Sequence, residues 1–308
     1  MGQPITPALL QGAFQNFNTR FTQGQKAAAV WAPQISMEVP SGTEEEIYAW
    51  MHELPTVRKW AKGSPRKATR LGSNAYRLTN EKYESTIVVE REKVEDDRLG
   101  IYMPMFDSLG RQVAKWPDRE IAKLIHANGT CWDGGSFFHT AHVVDPNGDT
   151  SVTYANDFTT EALTQANFET AYARFASIPS ENGEPMGLQP NALIVPPQLR
   201  AKALSIVKAG VIAVTQGSGA AAVTNVNQDL VRVVVIPELA SQPTRWHLAC
   251  TDQGIMPIVF QKREVGSLVA RFREDDPQVF DLDEYVYGVR MRAAFGWSLP
   301  YLMSRHTA

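Results

Sequence analysis

The sequence predicts an α+β fold, and three observations predict it. Helical periodicity is concentrated in the first two-thirds of the chain, while the last third reads almost entirely as strands. The middle interleaves helices and strands without a regular βαβ repeat. A long charged stretch, residues 58–98, is too poor in apolar residues to build a core of its own.

Residues 1–43 are polar and rich in Gln, Thr and Ala. Phe14, Phe17 and Phe21 approximate one helical face, so a short amphipathic helix is expected inside an otherwise extended arm. Glu44 to Trp60 reads as a helix: three Glu open it, which suits the positive end of a helix dipole, and Pro55 limits it. The excursion follows. From Arg58 to Lys82 the bases are Arg58, Lys59, Lys62, Arg66, Lys67, Arg70, Arg77 and Lys82, with Glu81 the single acid. A β-rich piece then leads into Glu90, Glu92, Glu95, Asp96 and Asp97. A basic limb beside an acidic limb reads as a two-stranded projection, and two strands without a packed face are marginal in water. A neighbouring molecule is expected to complete it.

Pro104 to Asn128 is the longest helical stretch, with Met105, Leu109, Val113 and Trp116, then Ile121, Leu124 and Ile125, at helical spacing. Pro117 is expected to kink or divide it, and Gly129 to stop it. Residues 130–158 are loop-like. A helix is expected from Gln165 to Ile178, N-capped by Thr164, with Leu163 stapled onto Phe168. Ala192–Val195 reads as a buried strand, and Pro196-Pro197 open a further helix with Leu199, Ala203, Leu204 and Val207 inward. The uncharged Gly210–Gln228 reads as a loop. Strands are expected at 230–236, 246–250, 257–260, 268–272 and 285–294, the last with a clean period of two.

The 308 residues, 44% hydrophobic and 20% charged, are ordinary for one large or two smaller globular domains. A formal net charge of −3 argues against nucleic acid as the main partner. No run of about 20 apolar residues is present, so no membrane span is expected. The first residues lack the regions of a secretory signal; Gly2 and Thr6 fit a loose myristoylation pattern, for which a polar coil is the simpler explanation. Cys131 and Cys250 suit buried or idle thiols in a reducing compartment.

The chemical inventory is nearly empty. His139 and His142 are spaced as zinc ligands on a helix would be, but they sit in a loop or strand context without a His-Glu-x-x-His pattern. Asp145, Asn147 and Asp149 lack the glycine and glutamate positions of a calcium loop. Gln216-Gly-Ser-Gly219 has no following Lys-Ser or Lys-Thr. No catalytic, cofactor or metal residue is expected, and no cofactor.

Five pieces carry a resemblance. They are Asn80-Glu-Lys-Tyr-Glu-Ser-Thr-Ile-Val-Val-Glu90, Glu95-Asp-Asp-Arg-Leu-Gly-Ile-Tyr102, Trp132-Asp-Gly-Gly-Ser-Phe-Phe-His-Thr-Ala-His142, Gln189-Pro-Asn-Ala-Leu-Ile-Val-Pro-Pro197 and Tyr285-Val-Tyr-Gly-Val-Arg-Met-Arg-Ala-Ala-Phe-Gly296. In this order and spacing the chain resembles the major head subunits of Mu-like phages and prophages. The resemblance implies the HK97-like capsid fold, with an N-terminal arm (1–45), a peripheral domain (46–57, 99–132 with the long helix, and 266–308), a projecting β-hairpin loop (58–98) and an axial domain (133–265). It implies a major capsid protein that self-assembles into hexamers and pentamers of an icosahedral shell enclosing double-stranded DNA, without sequence-specific DNA binding and without a membrane. Scaffold and maturation protease are expected as separate chains, with portal and decoration proteins as further partners. The expected locations are the virion capsid and, during assembly, the host cytoplasm. The expected intersubunit residues on the projecting loop are Arg66, Arg70, Tyr76, Arg77, Glu84, Glu90 and Glu92. Some shells of this fold weld a loop Lys to a neighbour's peripheral-domain Asn; residues 266–308 contain no Asn. An encapsulin-like nanocompartment shell is the alternative within the fold. A metal-dependent hydrolase using His139 and His142, or an RNA-binding module using the basic limb, are alternatives outside it.

Overall fold

In the computed structural model, which describes residues 6–51, 73–95, 99–145, 150–181, 183–216 and 219–308, two sheets share one long helix. The chain opens with α1 (Pro7–Ala27), β1 (Ser36–Pro40), β2 (Glu45–Met51), β3 (Ser73–Thr79), β4 (Glu81–Glu90), α2 (Arg91–Glu95) and α3 (Met103–Ala127). Three two-residue strands follow, β5 (His142–Val143), β6 (Thr153–Tyr154) and β7 (Asp157–Phe158), then α4 (Gln165–Ser177), β8 (Ala192–Val195) and α5 (Arg200–Val207). The rest comprises β9 (Val211–Gln216), β10 (Gly219–Thr224), β11 (Arg232–Val235), β12 (Trp246–Ala249), β13 (Ile258–Arg271), α6 (Pro277–Leu282), β14 (Glu284–Trp297) and β15 (Met303–His306).

One sheet has the order β1-β13-β14-β4 and the other β11-β8-β12-β15-β7. The apolar stripe of α3 serves both. Its first half, Phe106, Leu109 and Val113, joins Phe17 and Phe21 of α1 and Tyr285, Tyr287 and Val289 of β14 in one core. Its second half, Ile121, Ala122 and Ile125, packs with Ala192, Ile194, Ala249 and Trp297 in another. Pro117 lies inside α3 without dividing it. Beside it the buried Asp118 accepts the backbone N–H groups of Trp31 and Ala32, the latter at 2.8 Å. Burial pushes the Asp118 carboxyl above its ordinary value despite those bonds.

The amphipathic helix foreseen around Phe14, Phe17 and Phe21 is α1, and it is docked. Thr6 caps it by accepting the Leu9 N–H. Gly24 and Gly110 make the docking close: a Cβ on Gly24 would run into the Asp107 carbonyl, and one on Gly110 into the Phe21 carbonyl. The two backbones therefore touch reciprocally, with no side chain between them.

Four expectations are corrected. Residues 45–51 of the expected 44–60 helix are strand β2, because β3 pairs with them from Glu45↔Thr79 to Met51↔Ser73; a cross-strand partner outweighs local propensity. Residues 52–60 of that expectation lie outside the described residues. Gly210–Gln228 is not a loop but mainly the β9–β10 hairpin, based on Asn225, whose amide donates to the Ile206 and Ala209 carbonyls. The strands expected at 257–260 and 268–272 are the single β13, whose register shifts between Lys262 and Ser267 hide its alternation. The helix α3 ends on Asn128 in the left-handed region (φ 48), not on Gly129; its side chain also holds Phe138 through both polar atoms.

Candidate assembly site

The β2–β3 ribbon grows out of the first sheet at a polar knot. Gln261 is fully buried on β13; its amide donates to the Leu78 carbonyl at 3.1 Å and to Asn80 Oδ1 at 3.0 Å, and its oxygen accepts from the Tyr48 hydroxyl at 2.9 Å. Asn80 in turn donates to Ser41 Oγ and the Thr43 carbonyl. Glu46 Oε1 gathers donors from Ser41, Gly42 and Thr43, and the Ser41 hydroxyl leads in holding that carboxyl below its ordinary value. Leu78 packs onto Gly296, Val259 and Ala294. The ribbon root is thus tied to β13, to β14 and to the turn at residues 41–46.

Strands β3 and β4 are separated by Asn80 alone and run along β14 in one direction. Tyr76 lies at Trp297, whose N–H donates to the tyrosine hydroxyl at 3.4 Å; Leu78 lies at Gly296; Glu81 pairs with Ala293 and Glu90 with Glu284. This corrects the limits of the expected projection. Residues 81–90 belong to the core sheet, with Val89 fully buried, and do not form a free acidic limb. Their even-numbered side chains from Lys82 to Glu90 point outward, which the core-facing Val89 had concealed in a short apolar run. As an edge strand β4 carries charges that discourage chance pairing with other strands.

The expected contact residues separate accordingly. Arg66 and Arg70 lie outside the described residues. Tyr76 is half-buried and spends its hydroxyl within the chain; burial raises its pKa. Arg77 is exposed and pairs with Glu45 at 3.0 Å. Glu84, Glu90 and Glu92 are exposed; Glu84 accepts from Thr86, and Glu90 lies 3.7 Å from Lys93. Glu84 and Glu90 lie on β4, the edge strand of the sheet, and Glu92 on α2.

The histidine pair splits as well. His139 is exposed, whereas His142 is buried and set between two acceptors, the Asp133 carboxylate at 2.6 Å and the Phe137 carbonyl at 3.0 Å. Cys131 Sγ donates to the other Asp133 oxygen at 2.8 Å. These three ligand-type atoms lie within 4.8 Å of one another. Two of the contacts among them, Cys131 to Asp133 and His142 to Asp133, are hydrogen bonds. Burial opposes ionisation of Asp133, but the His142 and Cys131 hydrogen bonds outweigh it and bring its pKa to about 2. Burial pushes the Cys131 thiol well up and the Cys250 thiol up to about 12, so both are inert as nucleophiles. The Asp133 brace, together with Asn156, whose amide donates to the Phe137 and Pro300 carbonyls, ties the 131–142 turn to the second sheet. Neither Asp133 nor Asn156 was singled out from sequence, since a polar residue in a loop gives no sign of its burial.

Among the described residues no helix is long and apolar enough to cross a membrane.

Solved structures that resemble this chain include subunits of closed particles. The subunit of the bacteriophage JBD30 procapsid aligns over 99% of this chain and 76% of its own, with TM-score 0.58 and 25% identity. A virus-like particle from Pyrococcus furiosus shares the fold alone, at TM-score 0.52 and 10% identity over 95% of this chain and 98% of its own. A two-sheet body joined by one long helix, with a rooted ribbon on one edge, is therefore that of an HK97-like capsid subunit. The chain belongs to the family described as Mu-like prophage major head subunit gpT, whose model matches residues 10–160, 157–239 and 238–307. The major capsid protein of Escherichia phage Mu is 25% identical over 95% of this chain and 72% of its own length. The FluMu prophage major head subunit of Haemophilus influenzae is 31% identical over 95% and 71%. This is a structural capsid protein of a tailed phage and not an enzyme.

Proposed function

We propose that copies of this chain form the hexamers and pentamers of an icosahedral shell around double-stranded DNA, using the β2–β3 ribbon and its basic continuation to reach an adjacent subunit. Arg66, Arg70 and Arg77 belong to the basic side of that contact, and Glu84, Glu90 and Glu92 to the acidic edge it can meet. Tyr76 supports the ribbon from below. The observation that carries the reading is the alignment with a procapsid subunit over nearly the whole chain. The phage and prophage head proteins among its relatives favour DNA over an enzyme as the enclosed content. Heterologous contacts of this kind close into rings and then into shells. Assembly in the host cytoplasm, a separate scaffold and maturation protease, and portal and decoration proteins complete the proposal. Electron microscopy of the chain co-produced with its scaffold should reveal closed shells. Monodisperse monomers under every such condition would overturn the reading.

A further inference from the structure

Cys131, Asp133 and His142 are brought together by a tight turn and a short hairpin. Gly134, in the left-handed region at φ 83, turns the chain back, and the Cys131 N–H donates to the Gly135 carbonyl at 2.8 Å. The Phe137 N–H closes the turn on the Gly129 carbonyl at 3.0 Å. His142 enters from β5, paired with Tyr154 of β6, and its ring stacks on the Tyr154 ring. Cys131 and His142 are 3% and 2% exposed. His139, the other histidine of the pair, is exposed and takes no part.

Both ring nitrogens of His142 face acceptors. Nε2 lies 3.0 Å from the Phe137 carbonyl and Nδ1 lies 2.6 Å from the Asp133 carboxylate. A neutral imidazole carries one N–H, so the second contact calls for a positive charge between ring and carboxylate. A proton supplies that charge, and so does a metal ion. The surroundings have the form of an outer metal shell. A metal-bound histidine donates its other N–H to a carboxylate, carbonyl or water. Here the acceptor is the Phe137 carbonyl, which Asn156 holds by donating to the same oxygen at 2.8 Å. The Asp133 carboxylate is held in turn by the Gly135 N–H at 3.0 Å.

We propose that Cys131 Sγ, the Asp133 carboxylate and His142 Nδ1 form a structural site for one divalent transition-metal ion, zinc by preference. A thiolate and an imidazole select zinc over magnesium or calcium. Neighbouring ligand atoms on a tetrahedral zinc stand roughly 3.3–3.6 Å apart. The three atoms here lie within 4.8 Å of one another. The His142–Asp133 contact therefore opens by roughly 0.7 Å to admit the ion. Zinc enters as the thiol proton and the proton of the His142–Asp133 contact leave, with no change of oxidation state. The metal-free chain closes the same cluster with hydrogen bonds. The Asp133 side chain, 10% exposed, is the way in, and water or the second Asp133 oxygen takes the fourth position. The bound ion pins the turn after α3 to the β5–β6 hairpin.

The test titrates the full chain, stripped with chelator and dialysed, with zinc and with cobalt(II). The expected result is one equivalent bound per chain, a thiolate-to-cobalt charge-transfer band, and a higher Tm in zinc. Cys131→Ser should lose that band. Cys131→Ser and His142→Gln should each weaken zinc by about 100-fold or more, the upper end of what loss of an outer partner costs. Cys250→Ser, at the other buried thiol, should change neither band nor affinity. A band that survives Cys131→Ser and vanishes in Cys250→Ser overturns the site. If the variants misfold, the wild type decides alone. Loose, sub-stoichiometric uptake, or a cobalt spectrum without the thiolate band, overturns the proposal and leaves a proton as the charge between His142 and Asp133.

Discussion

Replacing Asp133 with Asn removes the charge at the centre of the Cys131–Asp133–His142 brace while keeping its shape. The Asp133 side chain is 10% exposed, and its pKa falls from 3.8 in an unfolded chain to about 2 in the fold. A carboxyl whose pKa is lowered by folding stabilises the fold above its unfolded pKa and loses that contribution as pH falls through the folded value. A drop of nearly two units is worth about 2 kcal/mol at pH 7. At pH 3, midway between the two values, roughly half remains, about 1 kcal/mol, and the rest is lost by about pH 1. Denaturant unfolding of the dissociated subunit at pH 7, 5, 4 and 3 should therefore show a gap between wild type and Asp133→Asn. That gap should be flat from pH 7 to 5 and should narrow from pH 4 to 3. A gap that stays constant through pH 3 would show that the substitution acts through shape or packing, and the charge argument would fail.

Gly110→Ala should destabilise the subunit by about 1–3 kcal/mol by forcing α1 off α3, whereas Gly12→Ala, which meets open space on α1, should be neutral or stabilising by up to about 1 kcal/mol; paired thermal melts compare them. Joining Met51 to Ser73 through an Asn-Gly turn in place of residues 52–72 should leave a folded subunit that makes no shells, while removing residues 81–92 should unfold it, by circular dichroism and microscopy. Mature particles boiled in detergent with reductant should run as a single band near 34.2 kDa, because no Asn lies between residues 266 and 308 to accept a loop lysine; a ladder of multimers would refute this.

The elements that read well from sequence are those whose pattern reports one buried face. Leu109, Val113, Ile121 and Ile125 declare α3, and Tyr285, Tyr287, Val289 and Met291 declare β14, because each run buries one continuous face of its own element. Thr164 was legible as the cap of α4, since its hydroxyl serves the nearby Asn167 N–H. What failed to read depends on distant partners. The β2 strand needs β3, more than twenty residues away, to exist at all. The limits of the projection differ because the β-rich run Ser85–Glu90 reads as a strand without showing its partner, and that partner is β14 of the core sheet.

The alignment of β3 with β4 also decides how the molecule answers a pull. A tug on the ribbon's free end runs along the strand axis, so the ten register pairs between β4 and β14 are strained together, in parallel. Were the ribbon set across the sheet, those pairs would open one after another like a zip, each facing the whole force alone. A subunit tugged by a neighbour thus resists as a spliced rope does, by sliding friction over its full overlap, and the tension passes through β14 into Trp297 and the second sheet before any single bond must yield.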